Sequence, residues 1–170
     1  MTAAWKKKFA LLVALQALAL LGLAGAAYAA VWFGEDIRVR TAPVDPRDFL
    51  YGDYVTLSYE MSRLSPALWQ GGKLPEEGDA VYVALEPRDG LHVPVAAYPN
   101  RVRLPDGQVL LKGIVEYRWE EEIQLRYGLE RYYVPEGTGL ALERQVGEVV
   151  VAAKVSPWGQ AILTDVLTKN

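Results

Sequence analysis

Five carboxylates stand in two short blocks of the chain: Asp45, Asp53 and Glu60 in the first, Glu130 and Glu136 in the second. If the blocks meet in space, three chemistries are open to them. Oxygen donors could gather a hard cation such as Ca²⁺ or Mg²⁺. Two carboxyl groups about 5–10 Å apart could act as the acid pair of a glycan- or peptide-cleaving enzyme. Arg47 and Arg131 lie among them, so the same groups could instead neutralise one another in a buried polar network that fixes strand register. Tyr54, Tyr59, Tyr127, Tyr132 and Tyr133 divide in the same way, into core and cross-strand pairs or a ligand surface.

Other catalytic sets are poorly supplied. His92 is the single histidine, among apolar strand neighbours, so a multi-histidine metal site is excluded. A Ser-His-Asp triad would have to use it, and no G-x-S-x-G turn is present. A Ser–Lys dyad could draw on Ser58, Ser62, Ser65 or Ser156 with Lys73, Lys112, Lys154 or Lys169, but no serine has the glycine context of such enzymes. The glycines Gly128, Gly137 and Gly139 serve backbone geometry. A phosphate loop would need Gly-Lys-Ser/Thr, which is absent. The residues therefore give no catalytic assignment, no metal ligand and no cofactor.

The elements that must position these groups are mostly strands. Pro43 and Pro46 stiffen an extended approach, and Gly52-Asp53 is a turn that opens a strand. From Tyr54 the residues alternate, with Val55, Leu57, Tyr59 and Met61 on one side and Tyr54, Thr56, Ser58 and Glu60 on the other. Further strands are predicted over Glu35–Thr41, Gly78–Glu86, Leu91–Tyr98, Arg101–Leu104, Gln108–Trp119, Gly147–Val155 and Gln160–Leu167. Pro94 marks an edge or bulge. Pro105-Asp106-Gly107 and Pro157-Trp158-Gly159 are hairpin turns. Ser62–Gly78 reads as loop with one helical turn at Pro66–Gln70, and Leu140–Gln145 as a short helix. Gly78-Asp79 echoes Gly52-Asp53, which is the ordinary way a strand begins. Many short strands predict a β-barrel- or β-sandwich-like domain.

Before that domain, Phe9–Phe33 is apolar apart from Gln16 and small residues. At about 1.5 Å per residue it can cross a hydrocarbon layer of roughly 30 Å. Trp5, Tyr28 and Trp32 suit the two interfaces. Lys6, Lys7 and Lys8 precede the span and Glu35 and Asp36 follow it, which places the N-terminus in the cytoplasm and the domain outside. The rival reading is a signal peptide cut after Ala27-Tyr28-Ala29; the apolar run through Val31, Trp32 and Phe33 favours a retained anchor. The expected organisation is an anchor over 1–34 in the inner membrane and one extracytoplasmic domain over 35–170. With Lys6–Lys8 set aside, 15 basic residues face 21 acidic ones in the remainder, a net of −6. That charge argues against nucleic-acid binding. The chain has no cysteine, so no disulfide holds it.

Two blocks carry a family resemblance. Gly52-Asp53-Tyr54, Leu57 and Tyr59 match GDYxxLxY, preceded by PVDPRD, which includes Asp45 and Arg47. The second block, Tyr127-Gly128-Leu129-Glu130-Arg131-Tyr132-Tyr133-Val134-Pro135-Glu136-Gly137, is similar to YGIERYFVPEG. Leu129 stands where Ile is usual and Tyr133 where Phe is usual. The chain thus resembles the GDYxxLxY family of membrane-anchored bacterial proteins. The resemblance implies an anchor and an extracytoplasmic domain, with no established activity. It makes a non-enzymatic accessory to other integral membrane proteins the leading expectation. An envelope hydrolase and a cation-binding domain are the alternatives.

Overall fold

The computed structural model describes residues 3–42, 54–133 and 149–167. One helix, α1 (Ala3–Phe33), is followed by eleven strands among the described residues. Over Trp5–Gly25 α1 has a mean hydropathy of 1.9, and none of it is buried. A helix this apolar and this exposed needs a membrane or another protein around it.

The domain is mostly β, and its two main sheets form a sandwich closing towards a half-barrel. Four strands make the first sheet: β1 (Glu35–Ala42), β3 (Ser58–Tyr59), β10 (Val150–Val155) and β11 (Ala161–Leu167), in the order β11-β10-β1-β3. The second has five: β4 (Arg63–Leu64), β5 (Ala80–Arg88), β6 (Leu91–Tyr98), β7 (Val109–Arg118) and β8 (Ile123–Arg126), in the order β4-β8-β7-β5-β6. A separate two-stranded ribbon joins β2 (Tyr54–Thr56) to β9 (Arg131–Tyr133). Every pairing among them is antiparallel.

The core lies between the two sheets. Ile37, Val39, Val151, Ala153 and Val155 face it from one side, and Val81, Val83, Leu85, Leu111, Val115, Ile123 and Leu125 from the other. These positions alternate with exposed or half-buried ones, as the pleat requires. Pro94 sits on β6, the outer strand, beside the register shift at Ala84/Leu85. A residue without a backbone donor is tolerated there.

Three expectations need correction. The strand from Tyr54 is not continuous. It pairs with β9 through Thr56, switches to β1 at Ser58, and becomes a 3-10 turn at Glu60–Ser62. Leu57, Tyr59 and Met61 of its alternating set are nevertheless buried, while Val55 is placed by its backbone alone. Arg101–Leu104 forms no strand; its residues alternate between exposed and half-buried without a ladder partner. Ser62–Gly78 is not all loop, because β4 lies within it and pairs with β8. The helical turn there is the 3-10 turn Pro66–Leu68, where the Ser65 hydroxyl accepts from the Ala67 amide. The expected helix at 140–145 lies outside the described residues.

Candidate functional site

The two sequence blocks meet. β2 and β9 pair in register, Tyr54 opposite Tyr133, Val55 opposite Tyr132 and Thr56 opposite Arg131. The contact continues where the ladder ends: the Leu57 amide donates to the Glu130 carbonyl at 2.7 Å.

Between β8 and β9 the chain turns through Tyr127–Glu130. Gly128 has φ +83, a left-handed conformation that favours glycine. The Glu130 carboxylate folds back over this turn. One oxygen accepts from the Tyr127 amide at 2.6 Å and the other from the Gly128 amide at 2.8 Å. Two backbone donors that no ladder satisfies are thereby paired.

Two phenols clamp the turn to the first block. Tyr59 donates its hydroxyl to the Leu129 carbonyl at 2.7 Å, and Tyr127 donates to the Met61 carbonyl at 2.9 Å. Both side chains are buried. Burial, and secondarily the negative charge of Glu130, hold both phenols well above the ordinary tyrosine pKa. They are therefore neutral donors, unsuited to act as phenolate bases. Gly113 on β7 makes room for the clamp: a Cβ there would lie 3.0 Å from the Tyr127 ring.

The remaining predicted residues are dispersed. Glu60 is exposed and reaches Arg40 at 3.8 Å. Asp45, Arg47, Gly52, Asp53, Pro135, Glu136 and Gly137 lie outside the described residues; Tyr54, Arg131 and Tyr133 are placed by their backbone. Among the described residues no three His, Asp or Glu side chains gather as metal ligands. Of the candidate serines and lysines, Ser156 accepts from the Gln160 amide, Lys73 pairs with Glu76 and Lys154 with Asp36. The Nδ1 atom of His92 accepts from the Arg38 amide at 3.1 Å, tying β6 to β1 across the two sheets.

Beside the clamp is a groove of about 660 Å³ that sequence reasoning missed. Lys112 and Ile114 of β7, Arg126, Tyr127 and Gly128 line it together with Trp158, Gln160 and Ile162, and Leu23 of α1 also borders it. The signal for it was Trp158, an aromatic in a Pro-x-Gly turn, where a side chain has little core to enter. The expected closing hairpin is present, with Gly159 at φ +91 and its amide bonded to the Ser156 carbonyl.

The family model of the GDYXXLXY protein matches residues 16–166, which spans both blocks and the groove. No curated protein and no solved structure matches the chain.

Proposed function

The chain belongs to the GDYXXLXY protein family, and from that premise we propose that it is a membrane-anchored, extracytoplasmic accessory module for other integral membrane proteins, with no catalysis of its own. The outer edge of β11 carries this reading. Among the described residues β11 pairs in a ladder only with β10 and also touches α1, so its other side has backbone donors and acceptors that no ladder uses. Its sequence, AILTDVL, holds neither proline nor lysine, the usual protections of an exposed edge. Ile162 and Leu167 are exposed along it. An extended segment of a partner can add to such an edge by main-chain bonding. The groove beside Ile162 would then take alternate side chains, and Lys112 favours an acidic one, Arg126 being paired with Glu116 at 3.3 Å.

Two further observations support the reading. Glu130, Tyr59 and Tyr127 are spent on holding the chain together. The basic Lys6–Lys8 before α1 and the acidic Glu35 and Asp36 after it favour an exported domain.

The test is recovery of the tagged full-length protein from its own membranes in mild detergent. A photo-crosslinker at Ile162 or Thr164 should trap one specific membrane protein, and a crosslinker at Glu121 should not. A chain that crosslinks to nothing from β11 would count against the accessory role.

A further inference from the structure

Only Gly34 separates the last helical residue, Phe33, from the first strand residue, Glu35. Two residue steps of at most about 3.6 Å fix Glu35 within roughly 7 Å of the end of α1. If α1 crosses a membrane as far as Phe33, that end of the domain lies in the headgroup layer, because the polar layer is itself about 5–8 Å deep on each side. This follows from chain connectivity and holds for either orientation of the span.

The residues brought to that end are suited to it. Glu35 is in register with Val155, so the turn through Pro157 and Trp158 lies there. Arg101 donates a guanidinium hydrogen bond to the Pro157 carbonyl, which brings the 101–108 loop to the same place. A cavity of about 370 Å³ lies between them, lined by Phe33, Glu35, Arg101, Arg103, Asp106 and Pro157 among others. Arg101 and Arg103 are both exposed, and neither has an ion-pair partner among the described residues. The acids at this end include Glu35, Asp36, Glu86 and Asp106, of which Asp36 is paired with Lys154 and Glu86 with Arg88, each at 3.2 Å. Trp158 is 37% exposed, and Trp32 in the last turn of α1 is 76% exposed. Tryptophan favours the membrane–water interface, and the planar arginine fork matches phosphate oxygens.

We propose that the end of the domain adjoining α1 is a docking surface for the lipid phosphate groups of the bilayer that α1 crosses, with Arg101 and Arg103 as the phosphate-binding forks and Trp158 as the interfacial anchor. The end of the domain that carries Glu35 is then held against its own membrane. This rests on α1 being a retained span.

The chain has no cysteine, so single spin labels can be placed at Asp106→Cys and at Glu121→Cys. Asp106 lines the cavity, whereas Glu121 lies past the far end of β7, about 30 Å from Val109 at the strand rise. The full chain is reconstituted in phosphatidylcholine vesicles with and without phosphatidylglycerol, and collision with a water-soluble nickel chelate is measured. The label at 106 should be shielded several-fold relative to 121, more so with phosphatidylglycerol. Arg103→Glu, and separately Arg101→Ala with Arg103→Ala, should abolish that difference while the label at 121 and the melting temperature stay unchanged. Arg103→Glu alone decides the case if the double variant does not fold. A label at 106 as open to the chelate as that at 121, or indifferent to Arg103→Glu, overturns the docking. Loss of the chain from carbonate-washed vesicles overturns the anchor beneath it. Inorganic phosphate that unshields 106 where chloride of equal ionic strength does not would reassign the forks to free phosphate and overturn the lipid assignment.

Discussion

The Tyr59 hydroxyl donates to the Leu129 carbonyl at 2.7 Å, across 70 positions of sequence and in a fully buried setting. A second bond of the same kind, Tyr127 to Met61, runs the other way at 2.9 Å. Each block thus supplies a phenol to a carbonyl of the other. Tyr59→Phe keeps the ring and leaves the Leu129 carbonyl without this donor. A buried acceptor so stranded should cost about 1–3 kcal/mol. Tyr127→Phe should cost a similar amount. In urea unfolding of the detergent-solubilised chain, the double variant should lose less than the sum of the singles, because the two bonds brace one turn. Strict additivity would mean that the clamp is two independent contacts.

Gly113 is a glycine inside a strand, normally a weak choice. Its reason is the Tyr127 ring, which a Cβ would approach to 3.0 Å. That ring is buried and bonded at its hydroxyl, so it cannot give way cheaply. Gly113→Ala should therefore destabilise by about 1–3 kcal/mol through overpacking. Adding Tyr127→Leu should remove most of the further cost of the alanine. An alanine equally harmful in both backgrounds would place its effect in the strand backbone.

The sequence showed these side chains more clearly than their bonds. Leu57, Tyr59 and Met61 are buried as their period of two required. The break between β2 and β3 was hidden, because alternation reports which face is buried and says nothing of the partner strand. Arg101–Leu104 fails for the same reason: Val102 and Leu104 are half-buried without any ladder. The turns at Gly107 and Gly159 were legible because Pro-x-Gly dictates local backbone, and both glycines have positive φ. Only the second joins two paired strands, so the hairpin expected at Pro105-Asp106-Gly107 is not formed. Glu130 could not be assigned from sequence. A carboxylate two residues after Gly128 looks alike whether it binds a cation, a proton or the two amides it does bind.

Those two amides give Glu130 a test. Glu130→Ala should cost on the order of 1 kcal/mol, as when a helix loses its capping side chain. Glu130→Gln retains one acceptor oxygen and should recover part of that loss. Gly128→Ala should add a separate penalty of about 1–2 kcal/mol from its left-handed backbone. If Glu130 instead served a bound cation, melting temperature would rise with Ca²⁺ or Mg²⁺ in the wild type and not in Glu130→Ala. Melting curves of the wild type and these three variants, with and without the cations, separate the outcomes.

His92 makes stability depend on pH. Its Nδ1 accepts the Arg38 amide, which requires the neutral ring. Burial lowers its pKa from the ordinary value, with the Arg38 charge acting the same way, while the Glu35 charge opposes them; the accepted amide bond itself favours the neutral ring. The unfolded chain takes up the proton near pH 6.5, and the folded chain does so only at lower pH. The contribution of His92 is thus complete above about 6.5. It is lost progressively as pH falls from there through the folded value, because the unfolded state then binds more protons. His92→Gln cannot titrate, so its stability should decline less than that of the wild type between about pH 7.5 and pH 5.5, the window around the ordinary histidine value. Chemical denaturation at several pH values in that window measures the difference. Parallel profiles for the two proteins would mean that the β1–β6 contact does not depend on the charge of this ring.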